Sequence, residues 1–355
     1  MSPQIMSNDE LAFFCLTENA TIRDVIENLD ASRIKVAFIV NSAGQILATA
    51  TDGDVRRGLL KNHNLEDSAL VIAHETFVSA TVGDSHVDLD RLLRESGISH
   101  IPILDASGRL ISLYPGAREA RKTQLPNAVV IMAGGLGRRL RPMTYKTPKP
   151  MLPVAGKPMV QHIIENLRLE GFSDVILSIG YLGQQIEDYF GDGTDLGVTI
   201  SYVSEDQPLG TGGSLSLLRR RFAEPLVVMN GDVLMRAKIC DMLDYHNSHG
   251  AEVTVGVKVL DTQIPFGVVT LDGGQITSME EKPTYRDYVN TGVYVIEPTV
   301  LEEIPPNQRF DMPDLISPRL GTNRALAFPL HETWMDLGRP DDLDQAQRSF
   351  NGDNK

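Results

Sequence analysis

Cysteine is nearly missing from this sequence: there are two in 355 residues, Cys15 and Cys240, and they stand far apart. With no CxxC or other ligand spacing they exclude a disulfide framework and a cysteine metal site, and they point to a reducing cytoplasm. Long apolar runs are missing too, since none approaches the roughly 18–20 residues of a membrane span. Met1–Glu10 has neither a basic nor an apolar segment, so no secretion signal is expected. Basic residues are in deficit, 33 Lys and Arg against 47 Asp and Glu, and the net charge of −14 argues against nucleic acid as a partner. What remains is ordinary globular composition, 42% apolar and 23% charged. The length suits two or three domains with a sizeable core that needs no covalent staples.

The first third contains an internal repeat. Ser32–Leu47 (SRIKVAFIVNSAGQIL) aligns without a gap to Ser96–Ile111 (SGISHIPILDASGRLI), each with an apolar run, a glycine turn and a second apolar segment. A Thr-x-x-Asp precedes each copy, Thr21 with Asp24 and Thr81 with Asp84, and predicts a helix start. This twofold helix-then-hairpin pattern resembles a tandem pair of cystathionine-β-synthase (CBS) domains over residues 1–120, with repeats at about 8–66 and 67–118. In that family a Thr-x-x-Asp after the second strand holds the ribose of an adenine nucleotide. The resemblance places that site at Thr51 and Asp54, while the second copy departs from the pattern with Pro115-Gly116-Ala117-Arg118. A plain helix cap at Thr51 is the alternative. Such pairs commonly associate, so a homo-oligomer is expected.

Residues 112–127, with prolines, basic residues and little periodicity, read as a linker, placed most narrowly at 121–126. After it the pattern changes. Ala128–Met132 is a short apolar run. Met159, Val160, Ile163, Ile164 and Leu167 follow helical spacing up to Gly171. Strand-like runs recur at Val175–Ile179, Val198–Val203, Leu226–Met229, Val253–Val259, Gly267–Leu271 and Gly292–Ile296. Strands alternating with helices predict an α/β domain over 127–350, a mixed and mostly parallel Rossmann-like sheet following a smaller α+β module, with ligands at the strand C-termini.

Directly after the first of these strands comes Ala133-Gly-Gly-Leu-Gly-Arg-Arg-Leu140. Gly134, Gly135 and Gly137 let the backbone turn sharply and present N–H groups to a phosphate chain. Leu140 stands where a dinucleotide fingerprint needs its third glycine, and no G-K-S/T follows, so neither a Rossmann fingerprint nor a P-loop is present. No G-x-S-x-G supports acyl transfer. His246 and His249 lack a third ligand nearby for zinc.

From the glycine loop through Pro148-Lys149-Pro150-Met151-Leu152-Pro153-Val154 the sequence resembles the signature of the sugar-1-phosphate nucleotidylyltransferases, GGxGxRLxPxTxxxPKPxLPV. The resemblance implies that Arg139 binds the triphosphate and the leaving pyrophosphate, and that Lys149 bridges the attacking and attacked phosphates. It implies a Mg²⁺ pair in Asp232 (of Asn230-Gly231-Asp232) and Asp336 (of Trp334-Met335-Asp336-Leu337-Gly338), a hard-cation role suited to carboxylates. Gln207, Gly210 and Thr211 would contact the nucleobase. Gly267, Glu281, Lys282 and Asn290 would form the sugar-phosphate wall. The PKPMLP and LGT forms are similar to the mannose-1-phosphate guanylyltransferase branch, which implies GTP, with UTP, CTP or dTTP as alternatives. A CBS pair ahead of such a domain is similar to bacterial glucosamine-1-phosphate guanylyltransferases of legionaminic acid synthesis. No hexapeptide repeats follow, so the acyltransferase half of bifunctional relatives is not expected. A non-catalytic regulatory protein that binds nucleotide sugars is the rival from another class. The charge distribution favours small anions: residues 120–164 carry eight Lys and Arg and no acid, leaving 25 basic against 47 acidic residues elsewhere.

Overall fold

The Thr-x-x-Asp signals are helix starts in three dimensions. A computed structural model describes residues 11–352 other than 12, 33, 35, 82, 85, 97, 99 and 116–123. In it the backbone N–H and hydroxyl of Thr21 donate to Asp24 Oδ2 (2.7 and 2.8 Å) ahead of the helix Ile22–Ser32. Thr81 N–H donates to Asp84 Oδ2 (2.7 Å) just before the helix His86–Ser96. Each bond satisfies backbone groups that a helix end leaves open.

The chain divides into two units, residues 1–122 and 123–355. In the first, β1 (Cys15–Thr17), β2 (Val36–Val40) and β3 (Ile46–Thr51) form one sheet, while β4 (Ala80–Thr81), β5 (His100–Leu104) and β6 (Leu110–Pro115) form another. Both have the same wiring: a short strand parallel to the first arm of an antiparallel hairpin, with a helix between them. The repeat in sequence is therefore a repeated β-α-β-β unit. The two hairpin turns meet, with Gln45 Nε2 donating to Ser107 O (2.7 Å) and Ile46 N–H to Gly108 O (3.2 Å).

At the helix Asp52–Leu60, Thr51 and Asp54 form a capping box. Thr51 N–H and Oγ1 donate to Asp54 Oδ2 (2.8 and 2.6 Å), Arg57 pairs with Oδ1, and His74 Nε2 lies 2.8 Å from the same oxygen. Both carboxylate oxygens are thus engaged within the unit. Gly116, Ala117 and Arg118 of the second copy, and residues 121–123 of the expected linker, lie outside the described residues. Leu125 and Pro126, also expected in the linker, belong instead to a strand, because Leu125 pairs in register with Phe172.

The second unit contains β7 (Leu125–Met132), β8 (Pro153–Val154), β9 (Lys157–Pro158), β10 (Phe172–Ile179), β11 (Thr199–Ser204), β12 (Leu226–Asn230), β13 (Val233–Met235), β14 (Val253–Gln263), β15 (Gly267–Asp272), β16 (Gln275–Glu281), β17 (Thr284–Ile296), β18 (Ala325–Leu330) and β19 (Trp334–Asp336). Seven of these make one sheet in the order β11-β10-β7-β12-β17-β14-β18. β17 is antiparallel to both its neighbours and the other pairs are parallel, so the sheet is mixed and mostly parallel. Val129 and Ile131 of β7 pack into one core and Ala128 and Val130 into the other. Apolar residues at consecutive positions are what a strand covered on both faces requires. The helix Met159–Glu170 lies against one face and ends at Gly171, whose φ of 102° is the left-handed cap that glycine tolerates best.

From β7 the chain moves outward to β10 and β11, then returns to β12 on the other side of β7. Connections leaving the C-terminal ends of β7 and β12 therefore diverge, and a crevice opens between them. The strand signals at β7, β10, β11, β12 and β14 match the elements found. β16 and the outer half of β17 were not anticipated. Their residues are almost all exposed, the apolar Ile276 and Met279 included, so they carry no buried face for a periodicity to mark.

Candidate active site

The glycine loop begins where β7 leaves the sheet. Ala133 N–H donates to Ser178 O (2.7 Å) on one side, and Gly231 N–H donates to Met132 O (2.9 Å) on the other. Of the three expected glycines, Gly137 alone takes a left-handed φ, 57°. A Cβ there would come within 2.8 Å of Thr144 Cγ2 and 3.2 Å of Lys149 Cβ, so the loop is folded back onto the lysine segment. Thr144 Oγ1 closes this turn by donating to Gly137 O (2.8 Å).

Lys149 opens a short 3₁₀ turn, Lys149–Met151, and its ammonium pairs with the carboxylate of Asp232, which follows β12. The pair is largely shielded, with side-chain exposures of 16% and 24%. Asp336 is brought to the same place by the antiparallel pairing of β13 with β19, in which Val233 faces Asp336, and by Leu337 N–H donating to Asp232 O (3.0 Å). Burial raises the pKa of Asp336, and the neighbouring charge of Asp232 raises it further, while Lys149 and Arg139 act in the opposite sense. Two carboxylates close enough for one to raise the pKa of the other disfavour a second negative charge, and a hard divalent cation with oxygen ligands relieves that cost. The donor set therefore fits such an ion.

The glycine loop, Lys149 and Asp232 share one cavity of about 620 Å³, and Asp336 is not among its lining residues. Gly134, Gly135, Gly137, Arg139, Lys149 and Asp232 line it together with Gln207, Gly210 and Thr211, so the catalytic and nucleotide residues expected from sequence converge. Arg139 is exposed and pairs with no carboxylate among the described residues. The sugar-phosphate group of residues lies apart from that lining. Gly267 and Glu281 face each other across the hairpin β15-β16, and a Cβ on Gly267 would come within 3.0 Å of Glu281 Oε2. Lys282, next in the chain, holds a φ of 49°, a strained conformation for a residue with a side chain. Asn290 is turned onto its own strand, accepting from Gly292 N–H (2.9 Å) and donating to Tyr294 Oη (2.9 Å).

Residues 128–351 match the family model described as nucleotidyl transferase. The chain belongs to that family. It is 36% identical to a mannose-1-phosphate guanylyltransferase of Mycobacterium tuberculosis, over 60% of this chain and 62% of that one. It is 33% identical to a UTP–glucose-1-phosphate uridylyltransferase of Synechocystis, over 62% of each. The chain thus spans less than two thirds of the length of these curated relatives. Among solved structures, HddC of Yersinia pseudotuberculosis is 26% identical with a TM-score of 0.50, covering 63% of this chain and 99% of that one.

The cavity of the nucleotidyl transferase unit also takes in a residue that sequence reasoning did not single out. Glu205 follows β11 and lines the cavity beside Gln207. It accepts from Ser178 Oγ (3.1 Å) and from Leu209 N–H (3.0 Å), and it packs against Gly134, where a Cβ would sit 2.8 Å from Oε1. One carboxylate so joins the glycine loop, β10 and the nucleotide loop. Its position five residues before Gly210 is the only trace of this in the sequence.

Proposed function

We propose that the protein transfers a nucleoside monophosphate, GMP from GTP, to a sugar 1-phosphate, releasing pyrophosphate. The observation that carries this reading is the single cavity shared by the glycine loop, Arg139, Lys149 and Asp232, at the strand ends where the sheet order reverses. An oxygen of the sugar 1-phosphate attacks the α-phosphorus of the triphosphate in line, and the α–β P–O bond breaks. No covalent intermediate with the protein is needed. Lys149 neutralises charge on the α-phosphate as the transition state forms, and Arg139 receives the departing pyrophosphate. Such transfers depend chiefly on positioning and on preorganised charge. Mg²⁺ held by Asp232 and Asp336 would supply further neutralisation of phosphate charge. Lys149 rests on Asp232, so the two groups that would meet phosphates and cation are largely shielded and paired with each other.

Glu205 supports guanine. A carboxylate offers acceptors only, and guanine presents two adjacent donors, N1–H and the N2 amino group, whereas uracil and thymine present one. The Yersinia relative has also been solved with GMP-PN. On the sugar side we favour glucosamine 1-phosphate, as in legionaminic acid synthesis, on the strength of the repeat-containing unit ahead of the transferase. That first unit we read as a CBS-type module, and an adenine nucleotide at Thr51 and Asp54 would have to displace Arg57 and His74 from the carboxylate. The test is pyrophosphate release with Mg²⁺ across GTP, UTP, CTP and dTTP against a panel of sugar 1-phosphates. GTP with an amino-sugar phosphate is expected to be fastest, and silence across the whole panel would overturn the enzyme reading in favour of a nucleotide-sugar-binding regulator.

A further inference from the structure

The nucleotide loop does not hold its own shape. It is tied to Phe310–Met312, about a hundred residues further along the chain. Phe310 N–H donates to Leu209 O (2.8 Å), and Gly212 N–H and Gly213 N–H both donate to Phe310 O (2.9 Å each). Thr211 N–H and Thr211 Oγ1 donate to the same oxygen, Asp311 Oδ1 (2.8 and 3.2 Å), and Met312 N–H donates back to Thr211 Oγ1 (2.9 Å). The one proton of the Thr211 hydroxyl is thus committed to Asp311. Gly210 turns at a φ of 83°, and a Cβ there would lie 2.6 Å from that same Oδ1. Asp311 itself is not among the residues that line the cavity.

We propose that Asp311 is a positioning residue for the nucleoside triphosphate: its carboxylate fixes Thr211 and the Gly210 turn, and so sets the wall against which the base is read. The inference rests on the nucleotidyl-transfer reading above. A carboxylate accepting two bonds from one residue is a strong and directional clamp, because bonds to a charged acceptor exceed those between neutral groups. Asp311 also begins the short helix Met312–Ile316 with a capping box, its side chain accepting from Asp314 N–H and its backbone N–H donating to Asp314 Oδ2 (3.1 Å), so a merely structural role has to be separated from the positioning one.

Three variants do so. Asp311→Ala is expected to raise the KM for GTP roughly tenfold, as for loss of a charge-assisted bond. Its kcat and its KM for the sugar 1-phosphate should stay near wild type, and the Thr211–Gly213 amides should exchange faster in the ligand-free protein. Asp311→Asn keeps an acceptor at Oδ1 and should restore most of both losses. Asp314→Ala weakens the helix start without touching Thr211 and should shift neither readout. Equal rises in both KM values with a fall in kcat, or matching behaviour of Asp311→Ala and Asp314→Ala, would assign Asp311 to the fold alone and overturn the proposal. Amide exchange is read without turnover. Wild-type silence with every triphosphate would sink the transfer reading and the nucleotide role of Asp311 together. An unchanged exchange pattern in an active Asp311→Ala protein would sink the Asp311 assignment by itself.

Discussion

The two walls of the candidate site are built in different ways. The nucleotide wall is anchored at many points: the glycine loop is bonded to β10 and to the segment after β12, and the base loop is held by Glu205 and by Phe310–Met312. The proposed sugar-phosphate wall rests on a two-stranded hairpin whose residues are mostly exposed, Leu271 at 58% and Met279 at 68%. An isolated pair of strands is marginally stable in water, whereas loops braced by a packed sheet are held in place. Under the proposed function, the difference teaches that the triphosphate would meet a surface already formed. Discrimination among sugars would then be left to a part of the molecule that can vary without disturbing the core.

The largest test of this contrast is Lys149→Ala, which removes charge from the braced wall. We expect turnover to fall about 10²–10³-fold, comparable to the loss of one preorganised group at a transition state, with the melting temperature near wild type. A rate within threefold of wild type would take Lys149 out of the mechanism. Next is Glu281→Ala on the hairpin, for which steady-state kinetics should show a KM for sugar 1-phosphate raised about tenfold and an unchanged KM for GTP. Equal shifts in both would mean that the two walls are not independent. The smallest effect is expected at Glu170, behind the braced wall, where its carboxylate accepts from Cys240 N–H (2.9 Å). Burial raises its pKa from 4.5 to about 7. The native state therefore holds a proton that the unfolded chain releases, and stability falls as pH rises from about 4.5 to 7. Glu170→Gln should raise the melting temperature by several degrees at pH 8 and by little at pH 4.5, with kinetics unaltered. A pH-independent shift would contradict the assignment.

How legible all this was depended on where the interacting partners stood. Apolar runs at consecutive positions revealed β7 and β12, and the glycine loop, Lys149 and Asp232 stood out because their chemistry is local in sequence. Gly171 was readable as a helix stop because a left-handed cap needs one particular residue type. Glu205 and Asp311 were not readable in that way. Each works by accepting from a backbone N–H, a partner every residue but proline possesses, and Asp311 reaches its partner across a hundred positions. The hairpin strand β16 was invisible for another reason. Both its faces meet water, so no alternation of apolar and polar residues was required of it. Thr51 illustrates a signal with two readings, and the bonds around Asp54 display the helix cap directly.

The single reversed strand of the sheet has a mechanical consequence. Because β17 runs against β12, its pairing from Ile296 with Leu226 to Val293 with Met229 carries its earlier residues past the C-terminal edge of the sheet, alongside the outer half of β14. The ribbon formed by Lys258–Gln263 and Thr284–Val289 is a cantilever of roughly 17–20 Å, at about 3.3 Å per residue, and the β15-β16 hairpin is its tip. Had β17 been parallel, that tip would hang from the opposite edge, away from Lys149. Under the proposed function the ribbon's length would act as a ruler between sugar and phosphate sites: removing one residue pair would shorten it by about 3 Å and turn every following side chain to the other face.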